Sequence, residues 1–396
     1  MSDFPQIRSR VPLPPHGRDQ IRYAAAYIHP SVRRVWIEDG GWWVETAEPL
    51  SQGAIDEGID LLCRRFGSVE LPELKAIFDL PAPAGLKQHV RFFEDGLARE
   101  ILPGLVVLRP PFSDLMRFLD WIMLRRFARP FNAYEEIYPN VIPSSELALT
   151  NHFRAFPEHL HFVTHLQEDL GVLDRFAMRA QDLTVIPQPG RDELASPLLV
   201  HNPSTCYHCY ASRRGARLKK NEAVTAVSRC HRYEAANHAD PGRLMEFTLR
   251  ETIFIGQPDY IRSTREECLS RIEQWASDWS LYGELLPAND PFFTDDYEAK
   301  AVQQHRLAMK YEYRAVLPST GGTIAVLSSN LHSATFGKSF DIRIGTMRAN
   351  SGCIGFGLER LGLALVEQHG LDPDAWPEGL RADYQDWRQS DALLSR

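Results

Sequence analysis

No stretch of about 18 or more consecutive apolar residues occurs in the 396 residues, so no membrane-spanning helix is predicted. The segment from Met1 to Pro15 is polar and proline-rich, without the apolar run of a secretory signal, and no signal peptide is expected. A basic excess is also missing. Against 44 Lys and Arg stand 52 Asp and Glu, a formal net charge of −8. That argues against a dominant polyanion-binding surface, because nucleic-acid binders usually carry a basic footprint. Cysteines are few and scattered: Cys63, Cys206, Cys209, Cys230, Cys268 and Cys353. Such spacing does not make the disulfide framework of a small secreted domain. No internal repeat or low-complexity tract is found. A reduced, cytoplasmic protein is the expectation.

What is present suits a folded enzyme or binding protein. The chain is 44% hydrophobic and 24% charged, enough for a large core. Its length fits one large domain plus an appendage, or two domains. Residues 2–20 read as an irregular arm. VRRVWIE (32–38) and WWVETAE (42–48) read as a β-hairpin, with Asp39-Gly40-Gly41 as the turn. Ser51 is positioned to cap a helix over SQGAIDEGIDLLCRRF, which completes a small β-β-α unit near residue 70. This unit and the proline-punctuated section after it form a predicted N-terminal extension, residues 1–110. The remainder, 111–396, is read as the main domain.

That domain opens with PFSDLMRFLDWIMLRRFA (111–128). It predicts an amphipathic helix with Leu115, Phe118, Leu119 and Ile122 on one side, ending at Arg129-Pro130. AYEEIYPNVIP (133–143) reads as extended. DLTVIPQP (182–189) and PLLVHNP (197–203) suggest strands. The clearest pair is EAVTAVSRCHRYEA (222–235) and RLMEFTLRETIFIGQP (243–258), separated by loop residues. Alternation places Met245, Phe247, Leu249, Glu251 and Ile253 on one face of the second strand. Glu251 thus interrupts an apolar face, and a carboxylate there needs a cation or strong donors. STREECLSRIEQWASDWSLYG predicts a helix, KYEYRAVLP and GTIAVLSSNLH predict strands, and CIGFGLERLGLALVEQHG passes from a glycine-rich strand into a helix. A polar helix and tail follow Pro377.

Cys206, Glu251 and Cys353 are candidate zinc ligands, since zinc takes thiolates and carboxylates and a catalytic site keeps one position open. Ligands this far apart leave no compact signature. Cys206-x-x-Cys209 with His208 competes as a zinc knuckle, though no second CxxC exists to close it. A buried inert thiol for either cysteine stays open, as does a salt bridge from Glu251 to an arginine on a neighbouring strand. Arg232 and Glu234, two apart in a strand-like segment, would share a face. Gly352, Gly355 and Gly357 lead into Arg360, for which an exposed helical charge pair with Glu359 is the bland alternative.

These blocks resemble the amino acid:[carrier protein] ligases, relatives of the catalytic core of atypical, zinc-dependent seryl-tRNA synthetases. The likeness covers roughly residues 110–377. It is carried by CYHCY, HRYEAANHADPGRLMEFTLRETIFIGQPD, DPFF…KAVQQHRLAMKYEYRAVLP, SSNLHSATFG and SGCIGFGLERLGLALVEQHGLDPDAWP. The resemblance implies an α+β, class II synthetase-like fold, an antiparallel sheet flanked by helices, with a homodimer formed through 111–143. It implies zinc on Cys206, Glu251 and Cys353, with Cys209 and Cys230 as bystanders. It implies ATP on Arg232, Glu234 and Arg360, with Arg232 and Arg360 catalytic. Glu312, Ser328 and Asn330 fall where magnesium and ATP contacts would lie. The implied reaction joins a small amino acid to AMP and passes it to the phosphopantetheine thiol of a carrier protein. A seryl-type tRNA synthetase and a non-catalytic regulatory relative are the competing expectations. The N-terminal extension lies outside the resemblance and would either bind the carrier or simply extend the core. The basic run from Ser212 to Lys220 reads as either a docking loop for an acidic carrier or a solvated hairpin tip.

Overall fold

A computed structural model describes residues 4–68, 75–181, 187–240, 242–288 and 308–394. The first of these segments builds strand β1 (Gln6–Arg8), helix α1 (Arg18–Ala25), strands β2 (Val32–Glu38) and β3 (Gly41–Thr46), and helix α2 (Gln52–Phe66). The strands form an antiparallel sheet in the order β1-β3-β2. The hairpin is the predicted one: Asp39 and Gly40 both take positive φ, 48° and 68°, as a two-residue turn of the primed type requires. The Ser51 hydroxyl accepts from the Ala54 amide at 3.2 Å, the expected cap. One helix was not expected. Alanine-rich α1 starts inside the stretch read as an irregular arm and buries Ile21, Ala24 and Ala25 against Trp42, Val44, Ile59 and Phe66. That core is separate from the main one.

The second section gives β4 (Phe78–Leu80), the hairpin β5 (Ala98–Leu102) and β6 (Leu105–Leu108), and helix α3 (Phe112–Phe127). Strand β4 joins the edge of the large sheet, and Val90 and Leu97 join the large core. Helix α3 buries Leu115, Phe118, Leu119 and Ile122, as its spacing predicts. The extended stretch after it contains two short strands, β7 (Tyr134–Glu135) and β8 (Val141–Pro143). Then come α4 (Ser144–Ala148), α5 (His152–Ala155), β9 (Phe162–Val163), α6 (Leu170–Arg179) and β10 (Leu199–His201). The strand expected in DLTVIPQP falls mostly on 182–186, outside the described residues.

The remainder supplies α7 (Cys206–Ala211), β11 (Arg217–Leu218), β12 (Glu222–His231), β13 (Glu246–Gly256) and α8 (Pro258–Asp278). Next are β14 (Gly283–Pro287), β15 (Lys310–Leu317), β16 (Gly322–Ser333) and α9 (Thr335–Ser339). The chain closes with β17 (Arg343–Ile344), β18 (Met347–Arg348), β19 (Asn350–Gly357), α10 (Leu358–His369) and α11 (Glu378–Leu394). Eight strands form the large sheet in the order β4-β14-β15-β16-β19-β13-β12-β7, antiparallel except for β12–β7. Period-two alternation sorts its faces. Tyr313, Phe254, Ile354 and Phe356 pack under α3, α8 and α10 with Phe127, Trp275 and Leu361. The polar tail helix α11 also docks here, burying Leu380 and Trp387. The other face stays open as a cavity. Among the described residues no helix is long and apolar enough to cross a membrane.

Candidate active site

The cavity on the open face has a volume of about 550 Å³, within the usual range for a small-molecule site. Cys206, Arg232, Glu234, Glu251, Glu312, Ser328, Asn330, Cys353 and Arg360 all line it. Register explains why residues so far apart in sequence meet. Glu312, Ser328, Gly355 and Glu251 are successive partners across β15, β16, β19 and β13. Asn330 and Cys353 are paired one row on, two residues along each strand, and so face the same side. A smaller cleft of about 320 Å³, between α3, α8 and α11, contains none of these residues.

At one end Cys206, Glu251 and Cys353 each present a ligand atom within 4.8 Å of the other two, and all three are buried. They are the one such group among the described residues. Cys353 Sγ lies 3.8 Å from Glu251 Oε1 and 3.9 Å from His332 Nε2, and Asn330 Nδ2 approaches it at 3.7 Å. Ser204 Oγ is 3.4 Å from Cys206 Sγ. Glu251 Oε2 is buried with no hydrogen-bond partner. Burial pushes the Glu251 carboxyl above the usual carboxylate range. The contact with Cys353, and then burial, push the Cys206 thiol well above its ordinary value. Two thiols and a carboxylate with an orphaned oxygen are a donor set that a borderline-soft cation fits. The salt bridge entertained for Glu251 is not formed among the described residues: Arg229 of the neighbouring strand β12 lies 3.7 Å from Glu246 and 3.5 Å from Glu359, and Arg250 of β13 itself pairs with Asp120 and Glu135.

The competing knuckle does not assemble. Cys209, one turn along α7, faces Arg213 at 3.2 Å, and His208 Nε2 lies 3.0 Å from the Val141 carbonyl oxygen. Cys230 sits among Thr205 and Ser228. Arg213 itself is buried on Glu136 and Glu222, at 2.8 and 2.9 Å. Arg214 and Arg217 pair with Glu146 and Asp341. Much of the basic run 212–220 is therefore neutralised within the chain, leaving Lys219 and Lys220 exposed.

At the other end the arginines gather. Strand β12 ends at His231, so Arg232 and Glu234 do not sit on a regular strand face as alternation suggested. The ladder continues for one bond, Arg232 N to the Met245 carbonyl at 3.0 Å, and Glu234 opens a 3-10 turn over Ala235–Ala239. Both still reach the cavity. Arg232 Nε donates to the Pro203 carbonyl at 3.1 Å, and its guanidinium lies over Phe247. Glu234 accepts from Arg243 Nη1 at 2.5 Å. Burial alone would raise the Glu234 pKa, but Arg243 and Arg360 outweigh it and hold the group at about 2. Burial, then the neighbouring Arg243, lower the Arg360 pKa to about 10. Arg360 Nε donates to the Gly242 carbonyl at 2.9 Å. Glu359 is not an exposed charge: only 3% exposed, it accepts from the Thr248 amide and hydroxyl, pinning α10 to β13. Glu312 lies between Lys310, at 2.9 Å, and Arg314, at 3.3 Å.

Residues that sequence reasoning missed also line the cavity: Tyr23, His159, Arg243 and His332. His332 was within reach, since Ser328, Asn330 and His332 alternate onto one face of β16. Tyr23 gave no signal, because nothing in the sequence ties α1 to a loop over 200 residues away.

Sheet, helices and cavity define a class II aminoacyl-tRNA synthetase-like catalytic domain. The seryl-tRNA synthetase of M. kandleri, solved with A. aeolicus tRNASec, superposes with a TM-score of 0.71 over 96% of this chain and 77% of that one, at 19% identity. No protein-family model matches the chain. Sequence relatives are more specific. Amino acid–[acyl-carrier-protein] ligase 1 of Bradyrhizobium diazoefficiens is 31% identical over 251 residues, 62% of this chain and 74% of the relative. Ligase 2 of that organism is 29% identical over 308 residues, 76% and 88%. The type-2 serine–tRNA ligase of Methanococcus aeolicus is 25% identical over 281 residues, 68% of this chain and 53% of the relative. The chain belongs to the amino acid–[acyl-carrier-protein] ligase family.

Proposed function

We propose that the protein activates an amino acid with ATP and transfers it to the phosphopantetheine thiol of an acyl carrier protein. One observation carries this reading beyond family membership: a three-ligand metal group and a cluster of arginines face each other across a single cavity. Zinc held by Cys206, Glu251 and Cys353 would supply an open coordination position for a neutral α-amino group. Arg232 is the group to bind the substrate carboxylate and the α-phosphate, Arg360 the γ-phosphate, and Glu234 the adenine amine. Glu312, with Ser328 and Asn330 beside it, is proposed to face the magnesium-bound phosphates. A carboxylate oxygen of the amino acid attacks the α-phosphorus, the bond to pyrophosphate breaks, and aminoacyl-adenylate remains. The carrier thiol then attacks the acyl carbon and AMP leaves. The chain's contribution to both steps is alignment and neutralisation of phosphate charge.

The carrier is favoured over tRNA as acceptor because the ligase relatives are matched at higher identity and over more of their length than the type-2 serine–tRNA ligase. A cytoplasmic setting suits ATP and the six unpaired thiols. The dimer surface is proposed around α3 and β7, where Tyr134 and Ile137 are exposed. The deciding experiment is amino-acid-dependent ATP–pyrophosphate exchange on protein of known zinc content, followed by transfer to carrier protein or to tRNA. Exchange with one or a few amino acids, abolished in Cys206→Ala and Glu251→Ala, is expected. Absence of exchange with every standard amino acid in zinc-loaded protein would overturn the reading. Aminoacyl-tRNA as the sole product would move it to the synthetases.

A further inference from the structure

The loop between β12 and β13 is held in place by the N-terminal unit. Arg22 of α1 makes a two-pronged pair with Asp240, at 3.2 and 2.9 Å. The Tyr27 hydroxyl donates to the Tyr233 carbonyl at 3.0 Å. The buried Asn237 amide donates to the Tyr23 carbonyl at 3.0 Å. Ala236 packs against the N-terminal core. Tyr23 goes further and enters the cavity wall. Its hydroxyl is 3.0 Å from His159 Nε2, and the Arg243 guanidinium carbon lies 5.4 Å from its ring centroid. Arg243 in turn holds Glu234.

We propose that α1 clamps the nucleotide half of the cavity from within the same chain, and that Tyr23 is a positioning residue for ATP, acting through Arg243 and Glu234. The inference rests on the ligase reading for one point, that the Glu234 end receives the nucleotide. The physical case is one of restricted freedom. Arginine has high rotamer entropy, and its orientation is cheap to lose. The Tyr23 ring confines Arg243 by a partly desolvated cation–π contact. Arg243 fixes the Glu234 carboxylate by a charge-assisted hydrogen bond. The Arg22, Tyr27 and Asn237 contacts stop the loop from moving away from the ring. Helix α1 divides its surface accordingly: Ile21, Ala24 and Ala25 enter the N-terminal core, while Arg22 and Tyr23 reach the loop and the cavity.

The test uses the full chain with Tyr23→Phe, Tyr23→Ala and Arg22→Ala. KM values for ATP and for the amino acid are measured separately by exchange. Calorimetry gives Kd for an ATP analogue that cannot be cleaved between the α- and β-phosphates. Tyr23→Ala is expected to raise the ATP KM and the analogue Kd about tenfold, with the amino-acid KM within about twofold. Tyr23→Phe, which keeps the ring under Arg243, falls between it and wild type. Arg22→Ala, losing a partly exposed pair outside the cavity, costs about threefold. Should Tyr23→Ala fail to fold, the other two variants carry the comparison. An unchanged analogue Kd in the folded variants would overturn the clamp. So would equal rises in both KM values, which mark a merely structural role. If the wild type exchanges no amino acid, the ligase reading fails, while the analogue Kd values still decide the clamp.

Discussion

Gly355 offers a sharp test of how the metal group is built. It lies in register between Ser328 and Glu251. A Cβ built on it meets Glu251 Cγ at 3.0 Å and Oε1 at 3.1 Å. Such contacts are too close to persist, so in Gly355→Ala the Glu251 side chain must shift by a few tenths of an ångström. It has little room to do so, being 4% exposed and wedged beside Cys353. Metal sites tolerate ligand displacements of about 0.2 Å, and disturbing a ligand's support costs about 10- to 100-fold in metal affinity. That is about 1.4 to 2.8 kcal/mol. The fold is not similarly penalised, because alanine suits a strand better than glycine by about 0.5–1 kcal/mol. The expected result is zinc affinity reduced about 10- to 100-fold in chelator competition, with thermal unfolding of the zinc-free protein little changed. Zinc affinity within twofold of wild type would refute the argument that this glycine makes room for the carboxylate.

Three further outcomes follow from the same geometry. Cys209→Ala should retain one equivalent of zinc by elemental analysis, whereas Cys206→Ala and Cys353→Ala should lose it; zinc loss in Cys209→Ala would revive the knuckle. Arg250→Met removes a 3% exposed guanidinium from Asp120 and Glu135. Because both carboxylates keep contact with water, the loss in chemical denaturation should be about 2 kcal/mol, below the 3–5 of a fully buried pair. Glu234 has its folded pKa lowered from 4.5 to about 2. Its stabilising contribution is therefore present above pH 4.5 and lost as pH falls towards 2. Glu234→Gln should accordingly show a shallower decline in stability than wild type between pH 4.5 and 3, and identical slopes would count against the Glu234–Arg243 pair.

Much of this was legible because local rules and the final fold agreed. The hairpin at Asp39-Gly40, the Ser51 cap, helix α3 and the strands β12, β13, β15, β16 and β19 follow from periodicity and turn chemistry. The metal group was legible in part. Glu251 stood out as a carboxylate on an apolar strand face, and that anomaly has a structural answer in the two thiols beside it. The choice of Cys206 over Cys209 could not come from spacing. It depends on which side of a six-residue helix faces β13, and both cysteines are buried.

What the sequence hid is long-range and made by loops. Alternation extended β12 through Glu234, but the strand stops at His231 and Ala235 takes a positive φ of 46°. A regular strand would have held Arg232 and Glu234 at a fixed separation on the sheet face. The turn instead carries Glu234 towards Arg243, Arg360 and α1. Period-two reasoning fails where the backbone leaves the ladder, and here it leaves at the residues proposed to bind the nucleotide. Loop residues lack the sheet's own rigidity and need another scaffold to fix them. In this chain the scaffold is α1, which starts inside a segment that composition had marked as an irregular arm and runs on past it. The metal end is thus set by strand register and by the side of α7 that faces β13, while the arginine end depends on packing between an N-terminal helix and a loop. Perturbing the N-terminal unit should therefore spare zinc binding and weaken nucleotide binding: Tyr23→Ala should keep its zinc stoichiometry while its analogue Kd rises. Loss of zinc together with nucleotide affinity would mean that the two ends are not independently built.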